Sequence, residues 1–239
     1  MITFLIPTFR EKENINLLVS NIDKLKISYH YNIYFVDDNS NDGSIDIFNE
    51  LSKNYNNIRY HIRKNNKRDL TKSILEGLEN INSDYVFILD CDFQHELEKI
   101  PEMINIIIKQ EFDLVIGKRD LNDIKSYLRR SFSKLGVKFA YFSGIKRIED
   151  PLSGFFIIKT DLFKSLSKKI TTSGFKILIS IIFYLKKNSR IYEIPIDFKK
   201  RQFGYSKFSL KVIFLFVIQI LYLKYQDIKN NVINQQGYK

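Results

Sequence analysis

The sequence predicts an α/β fold built on a mostly parallel sheet flanked by helices. Short apolar runs alternate with segments of helical period through the first half, the order expected for such a sheet. The run at 85–89 is almost continuously apolar, as in a parallel strand covered on both faces. With 44% hydrophobic and 27% charged residues among 239, the chain has the composition of a globular protein and not of a disordered one.

The first half supplies the alternating elements in order. The apolar runs predict strands at 3–6, 33–36, 58–62, 85–89 and 114–116. Helical spacing predicts helices at 11–25, from a cap at Ser44 onward, at 70–81 and at 101–109. Dense polar turns follow the strands that end near residues 36 and 89.

The second half is more apolar and more basic. It predicts strands at 155–158 and 191–196, a very apolar helix at 175–185, and a helix at 124–142. That last helix carries one apolar stripe, made of Leu128, Phe132, Leu135, Phe139 and Phe142. Neither a repeat nor a Pro/Gly-rich linker is evident, so we expect one domain with a basic, apolar C-terminal elaboration.

The last apolar stretch, 212–223, predicts a helix with a lysine on either side. Twelve residues span roughly 18 Å, whereas a bilayer core is about 30 Å thick. We therefore expect a helix that lies in the membrane interface, with its lysines near lipid phosphates. Burial in the core or a dimer contact, and a short membrane insertion, are the alternatives.

Charge is unevenly distributed along the chain. Residues 1–119 hold 15 Lys and Arg against 19 Asp and Glu, whereas residues 120–239 hold 23 against 8. A strongly basic half suggests a polyanionic partner, such as nucleic acid, an anionic membrane or a phosphate substrate; the alternative is a solvated surface without a partner. One cysteine excludes an intramolecular disulfide, and the N-terminus shows no signal-peptide pattern, so we expect a cytoplasmic location or the cytoplasmic face of a membrane.

Carboxylates follow the apolar run at 85–89 directly. Asp90 and Asp92 are alternate residues, so their side chains can face one site at the carboxyl end of a parallel strand. With the amide oxygen of Gln94 they form a hard-oxygen set that suits Mg²⁺ or Mn²⁺. A pair of solvated turn aspartates is the alternative interpretation of this motif.

Two further polar segments follow strands. In 36–44, three acids within six residues can accept hydrogen bonds from a base or ribose, although a polar turn explains most of the segment. In 7–11, Phe9 can stack on a base and Glu11 can accept a hydrogen bond from it. Taken alone, the segment is better explained as a strand-to-helix turn with Glu11 in the first turn of the helix.

Together these segments, 7–11 with Asn14, 36–44 and 90–95, resemble the nucleotide-sugar half of family 2 glycosyltransferases. Two downstream segments narrow the resemblance to dolichol- or polyprenyl-phosphate mannosyltransferases. They read Asp-Pro-Leu-Ser-Gly-Phe at 150–155 and Arg-Gln-Phe-Gly-Tyr-Ser-Lys at 201–207. The match runs in order from residue 2 to about residue 210.

The resemblance implies a GT-A fold and a set of site residues. It assigns the nucleotide-sugar to Pro7, Phe9, Glu11, Val36, Asp38, Asp90, Cys91, Asp92, Arg119, Arg201 and Lys207. It assigns a bound Mg²⁺ or Mn²⁺ to Asp90, Asp92 and Gln94, and the acceptor phosphate to Arg130, Ser131 and Lys134. Catalysis would depend on Asp92, Arg119, Arg201 and Lys207.

The implied organisation is a glycosyltransferase domain over 1–209, followed by a membrane-interfacial helix and tail over 210–239. Within the domain, 1–119 is the nucleotide-sugar half and 120–209 the acceptor half. The implied partners are a nucleotide-sugar, a polyprenyl or dolichyl phosphate and a membrane surface, with room for a small membrane-anchoring subunit. Nucleic acid is not expected, because charge is its sole indication.

The implied reaction moves a hexose, foremost mannose from GDP-mannose, in one in-line displacement with inversion. A lipid phosphate is already an anion, so no strong general base is needed. A UDP-glucose donor, or a glycan or diphospholipid acceptor, is one alternative, and a non-catalytic binding protein is another. The sequence departs from the family at five places: Phe9 for Tyr, Cys91 for a smaller residue, Ser180 for an acid, Arg68-Asp69-Leu70 for Gly-Leu-Gly, and Asp120 for an aromatic.

Overall fold

The computed structural model describes residues 1–64, 68–120, 127–142, 145, 148–170, 176–204 and 210–236. Its strands are β1 (Ile2–Thr8), β2 (Tyr31–Asp37), β3 (Ile58–Ile62), β4 (Tyr85–Ile88), β5 (Leu114–Arg119), β6 (Phe156–Lys159) and β7 (Ile191–Ile196). Its helices are α1 (Lys12–Lys24), α2 (Ser44–Asn54), α3 (Leu70–Glu79), α4 (Ile100–Lys109), α5 (Tyr127–Phe142), α6 (Thr160–Ser167), α7 (Ile177–Tyr184) and α8 (Leu210–Gln236). The predicted α/β fold is confirmed.

The strands form one sheet in the order β3-β2-β1-β4-β6-β5-β7. Neighbours pair in parallel, except that β6 runs antiparallel to both β4 and β5. The chain leaves β1 toward β2 on one side and returns to pair β4 on the other side. This reversal opens a crevice at the carboxyl ends of β1 and β4, where ligands bind in sheets of this kind.

Alternate residues of the buried strands point into two apolar layers, one on each face of the sheet. Phe4 and Ile6 of β1 pack with α1, α2 and α4, whereas Leu5 packs with α3, α6 and α7. α3 lies very close to the sheet at Gly77, where a Cβ atom would stand 2.6 Å from Leu5 Cδ1. Gly77 therefore fixes how near α3 approaches the strands that end at the crevice.

One local prediction is wrong, and one helix was not predicted. Ser44 does not cap α2, because it is the first residue of the helix; Asp42 Oδ1 instead accepts its backbone N–H at 3.0 Å. The short helix α6 was not predicted. It has only two turns, in which Phe163 and Leu166 are the buried apolar residues.

Three described residues of the apolar stripe predicted on α5 are exposed. Leu135, Phe139 and Phe142 are 46%, 39% and 58% exposed, whereas Gly136 and Ala140 are buried. A Cβ atom on Gly136 would stand 2.7 Å from Leu152 Cδ1, so this face approaches the body through small residues. The side chains of Leu128 and Phe132 lie outside the described residues.

The C-terminal helix is longer than predicted, since α8 has 27 residues where twelve were expected. It is anchored by Gln219, which is buried and donates to Ser180 Oγ on α7 at 2.9 Å and to the Lys176 carbonyl at 3.1 Å. Ile220 and Leu223 beside it are buried in the layer that contains α7. Among the described residues, no helix combines the length and apolar character needed to cross a membrane.

Candidate active site

Three loops meet at the carboxyl edge of the sheet, after β1, β2 and β4. Each contains one non-glycine residue with a left-handed backbone, namely Arg10 (φ 54°), Asn39 (φ 57°) and Phe93 (φ 59°). Such conformations are uncommon and persist where surrounding contacts impose them. The backbone is therefore held in unusual shapes at the three predicted binding segments.

These loops surround a cavity of about 200 Å³. Ten of the predicted site residues line it: Pro7, Phe9, Glu11, Asp38, Asp90, Cys91, Asp92, Gln94, Arg119 and Arg201. It is also lined by residues to which the sequence assigned no role, among them Arg68, Ser73, His95, Gly154, Lys176 and Phe198. Val36 is not part of the lining, because its side chain packs in the core against α3.

The oxygen-rich end of the cavity contains Asp90, Asp92 and Gln94. Asp92 is buried, and burial first and the Asp90 carboxylate second raise its pKa, while Arg201 opposes this rise. Asp92 Oδ2 accepts from Arg201 Nη2 at 2.7 Å, and Gln94 Oε1 lies 3.4 Å from the same nitrogen. Oxygens of Asp92 and Gln94 thus already converge on one positive group, as binding of a hard divalent cation requires.

Among the described residues, no group of three or more His, Cys, Asp and Glu side chains is arranged for a metal. The predicted set contains two carboxylates and an amide, which leaves the remaining positions around a cation to donor phosphates. The residues present therefore fit Mg²⁺ or Mn²⁺.

Asp90 is held from the side by His95, whose Nε2 lies 3.4 Å from Asp90 Oδ2. The His95 ring is buried and stacks on Phe155 at 5.0 Å between ring centroids. A Cβ atom at Gly154 would stand 3.0 Å from Asp90 Oδ2, so a larger residue there would crowd the carboxylate. The 150–155 segment, which the sequence singled out without a role, thus shapes the surroundings of Asp90.

The two acids that end β2 have different partners. Asp37 accepts from Thr8 Oγ1 at 2.8 Å and from the Ser40 backbone N–H at 2.6 Å, which ties the first two loops together. Asp38 accepts from Arg63 through one oxygen and from the Asp69 backbone N–H, at 2.9 Å, through the other. Burial raises the pKa of Asp37 despite its hydrogen bonds. Both acids organise the walls of the cavity.

Arg63 is completely buried beneath the cavity and was missed by the sequence analysis. Besides Asp38, its guanidinium contacts Glu76 Oε1 at 2.8 Å and Ser73 Oγ at 3.3 Å. It thereby connects the end of β2 to α3. Arg63 directly follows β3, but its side-chain partners Asp38 and Ser73 lie 25 and 10 positions away, so no local pattern indicates the contacts.

The aromatic end of the cavity is formed by Phe9, and Arg68 lies over its ring at 4.9 Å from the centroid. Glu11, beside it, is buried and accepts from Asn14 Nδ2 at 2.6 Å. Burial lowers the pKa of Arg68, and Arg201 adds to this, whereas Asp38 and Glu11 oppose it. Phe9, Glu11 and Arg68 therefore form one wall of the cavity.

Arg119 lines the cavity while its guanidinium is engaged by Asp150. Its Nε and Nη2 lie 2.7 and 2.8 Å from the two carboxylate oxygens, in a buried forked pair. Burial disfavours the charged form of Asp150, but Arg119 more than offsets this and lowers the pKa of that carboxyl. Glu193 Oε1 in turn accepts from the Asp150 backbone N–H at 3.0 Å.

The residues predicted for the acceptor phosphate are on α5, and neither Arg130 nor Lys134 is among the described residues that line the cavity. Arg130 is partly buried, Lys134 is exposed, and the Ser131 side chain lies outside the described residues. Lys207 also lies outside the described residues.

Comparisons with known proteins show the family of this chain. A model of the Glycosyl transferase family 2 matches residues 3–171. Dolichol-phosphate mannosyltransferase of Pyrococcus furiosus is 32% identical over 225 residues, which cover 92% of this chain and 62% of that protein, so the chain spans less than two thirds of this relative's length. The proteins of that name from Mycosarcoma maydis and Saccharomyces cerevisiae are each 28% identical, covering 77% and 84% of their length.

Solved structures give the fold. Glucosyl-3-phosphoglycerate synthase from Mycobacterium tuberculosis, in complex with Mn²⁺, UDP and glucosyl-3-phosphoglycerate, superposes with a TM-score of 0.70 at 14% identity. The match covers 93% of this chain and 78% of that structure. The same enzyme in complex with phosphoglyceric acid gives the same TM-score. The fold is thus GT-A and, because the family model spans more than half of the sequence, the chain belongs to glycosyltransferase family 2.

Proposed function

We propose that this protein transfers a hexose from a nucleotide-sugar onto a polyprenyl or dolichyl phosphate, and that the sugar is mannose from GDP-mannose. The observation that carries the proposal is one cavity with an aromatic and acidic wall, Phe9 with Glu11, at one end and Asp90, Asp92 and Arg201 at the other. The names of the three relatives support the acceptor and the sugar.

The donor nucleoside lies along the wall formed by Phe9 and Glu11. Phe9 offers a ring face for the base, and Glu11 offers a buried carboxylate to the N–H or O–H groups of base or ribose. Since both oxygens of Asp38 already accept hydrogen bonds, Asp38 acts chiefly by fixing Arg63 and the backbone at Asp69.

The donor diphosphate lies between the oxygen-rich end and Arg201. Asp90, Asp92 and Gln94 would hold a divalent ion, which would supply positive charge to offset that of the leaving diphosphate. Arg201 adds two N–H donors that match phosphate oxygens. Lys207 is proposed to join it, as the family motif at 201–207 implies. Arg119, through its pair with Asp150, holds the opposite wall.

The acceptor phosphate approaches from the basic half of the chain. Its oxygen is already anionic, so attack on the anomeric carbon needs no proton transfer, and the sugar inverts in one displacement. Arg130, Ser131 and Lys134 on α5 are proposed to receive the phosphate. The division into a donor half over 1–119, an acceptor half over 120–209 and a tail from 210 belongs to the same proposal.

The lipid part of the acceptor calls for a membrane surface, and an exposed apolar face suits one. On α5 it comprises Leu135, Phe139 and Phe142, and on α8 it comprises Phe214, Val217, Ile218, Leu221, Tyr225 and Ile228. The helices are neighbours, since Lys224 on α8 lies 5.4 Å from the centre of the Phe142 ring. We place this face against the cytoplasmic leaflet, where anionic lipids attract basic side chains.

A transfer assay tests the proposal. Purified protein is mixed with Mg²⁺ or Mn²⁺, a polyprenyl phosphate in detergent, and labelled GDP-mannose or UDP-glucose in separate reactions. We expect label from GDP-mannose to enter the organic phase, and Asp92→Ala to abolish the transfer. Asp84→Ala is the matched control, because Asp84 is an exposed acid that pairs with the N-terminus.

Other outcomes separate the alternatives. If only label from UDP-glucose enters the organic phase, the proposed reaction class would stand and the proposed sugar would be glucose. If transfer occurs only to a diphospholipid-linked acceptor and Arg201→Ala loses little activity, the proposed lipid-phosphate acceptor would be replaced by the diphospholipid. Donor binding without transfer to either acceptor would favour a binding protein.

A further inference from the structure

Arg201 contacts the side-chain oxygens that the proposed metal site would use. Its Nη2 lies 2.7 Å from Asp92 Oδ2 and 3.4 Å from Gln94 Oε1, and its Nη1 lies 3.8 Å from Glu11 Oε1. The side chain is largely buried in this position. One guanidinium thus joins the metal-binding end of the cavity to its nucleoside wall.

The backbone around Arg201 is fixed to the loop that carries Asp92 and Gln94. The Lys199 N–H donates to the Gln94 carbonyl at 2.8 Å, the Gln202 N–H donates to the Asp92 carbonyl at 3.4 Å, and His95 forms a β-bridge with Phe198. The segment 198–202 therefore lies against residues 92–95, joined to them by an isolated β-bridge and backbone hydrogen bonds. This pairing holds Arg201 over the carboxylate.

Both carboxylate oxygens of Asp92 already accept hydrogen bonds, and one of them holds Arg201. Its Oδ1 accepts from the Gln94 backbone N–H at 3.1 Å, and its Oδ2 holds Arg201. A divalent ion that binds Asp92 and Gln94 needs these oxygens, and its charge repels a guanidinium a few ångströms away. The ion and Arg201 in its present position are therefore competitors.

We propose that Arg201 and the divalent cation are alternative partners of Asp92 and Gln94. The inference deepens the proposed function and rests on it: when metal and donor bind, Arg201 is displaced from the carboxylate and pairs with the donor diphosphate. The positive charge of Arg201 thus compensates the Asp92 carboxylate before metal and donor bind, and it compensates the donor phosphates afterwards. Metal affinity is consequently lower than the ligand set alone would give, until a diphosphate provides Arg201 with a new partner.

Binding of Mn²⁺ alone, followed by electron paramagnetic resonance of free Mn²⁺ and by titration calorimetry, tests this exchange. Because a charge-assisted hydrogen bond contributes roughly 1.5–3 kcal/mol, Arg201→Gln should bind Mn²⁺ at least about tenfold more tightly than the wild type. Lys199→Gln is the matched control, since Lys199 lies on the same segment but pairs with the exposed Glu98. It should change the affinity less than about twofold.

With GDP present, the difference in Mn²⁺ affinity between Arg201→Gln and the wild type should reverse. The variant then lacks the contact with the diphosphate and binds Mn²⁺ with GDP more weakly than the wild type. Thermal melts check that each variant is folded. Equal or weaker binding of Mn²⁺ alone by Arg201→Gln overturns the exchange. An Mn²⁺ affinity that is unchanged in both Arg201→Gln and Asp92→Ala also overturns it, because Mn²⁺ then does not bind at Asp92. Sugar transfer by the wild type is scored separately, so either proposal can fail while the other stands.

Discussion

At the scale of single residues, buried charges define the cavity, and Arg63 is the clearest case. It is completely buried and pairs with Asp38 and Glu76, while its Nε has no hydrogen-bond partner among the described residues. A buried pair contributes little net stability, but removing one partner leaves a buried charge uncompensated. Arg63 therefore matters for both the fold and the nucleoside wall.

We predict that Arg63→Met destabilises the protein by about 3–5 kcal/mol, because Asp38 remains buried without its cation. Donor affinity should fall together with stability. Urea unfolding and calorimetric titration with GDP measure the two effects. Arg59→Met is the control, since Arg59 is exposed on the same strand and should change stability by less than about 0.5 kcal/mol.

Arg68 stands where the family pattern has Gly-Leu-Gly, and it lines the cavity over Phe9. We predict that Arg68→Asn weakens GDP binding roughly tenfold, because one charged hydrogen-bond donor is lost from the donor site. Arg10→Asn serves as the control: Arg10 also lies near the Phe9 ring, at 5.3 Å, but is exposed. Equal losses in both variants would contradict a specific role for Arg68.

The Arg119–Asp150 pair gives a prediction for pH. Because the pKa of Asp150 is lowered in the fold, its ionised form stabilises the protein above its ordinary pKa of about 3.9. This contribution is lost as pH falls below that value and through the lowered pKa. Asp150→Asn should cost about 3 kcal/mol at pH 7, and the difference from the wild type should shrink toward pH 3. Urea unfolding across this range measures it, and a constant difference would contradict the assignment.

At the scale of elements, the contact between α7 and α8 explains two features of the sequence. Gln219 interrupts an apolar run, and Ser180 stands where the family has an acid; the two side chains bond each other in the core. Gln219 Oε1 has no hydrogen-bond partner among the described residues. The polar pair thus fixes the position of α8 along α7.

We predict that Gln219→Leu destabilises the protein by about 1–3 kcal/mol, because Ser180 Oγ and the Lys176 carbonyl lose a buried donor. Adding Ser180→Ala removes one of these unsatisfied groups and should restore part of the loss. Thermal unfolding of the two single variants and the double variant measures the coupling. Strict additivity would show that the hydrogen bond does not fix α8.

At the scale of the whole molecule, the acidic first half provides most of the lining of the cavity, and the basic second half carries the exposed apolar residues of α5 and α8. Such a face, flanked by exposed Lys134 and Lys138, suits an anionic surface. The longer helix found for α8 enlarges this face beyond what the predicted twelve residues offered.

We predict that the protein sediments with vesicles containing phosphatidylserine and less with neutral ones, and that salt weakens this binding. Phe139→Ser with Phe142→Ser should reduce sedimentation several-fold, since apolar burial contributes roughly 25 cal/mol per Å². Tyr55→Ser, an exposed aromatic at the end of α2, is the control. Unchanged sedimentation of the double variant would show that this face does not bind the membrane.

Local sequence was sufficient for the strands and helices of the first half and for the acids at the sheet edge. Apolar periodicity located β1 to β5, and polar residues directly after β1, β2 and β4 converge because parallel strands end at one edge. Ten predicted site residues line one cavity for this reason. Periodicity predicted which residues of α5 share an apolar stripe, but it does not show what covers that stripe, and three of its residues are exposed.

Neighbouring residues along the chain were enough to predict the α/β class, most of its elements and ten residues that line the cavity. Tertiary structure alone decided where the charged side chains pair. Asp38 meets Arg63, Arg119 meets Asp150, and Arg201 meets Asp92 over separations of 25, 31 and about a hundred residues. It also decided that β6 inserts antiparallel between β4 and β5. These contacts depend on how the sheet brings distant segments together, which no local pattern encodes.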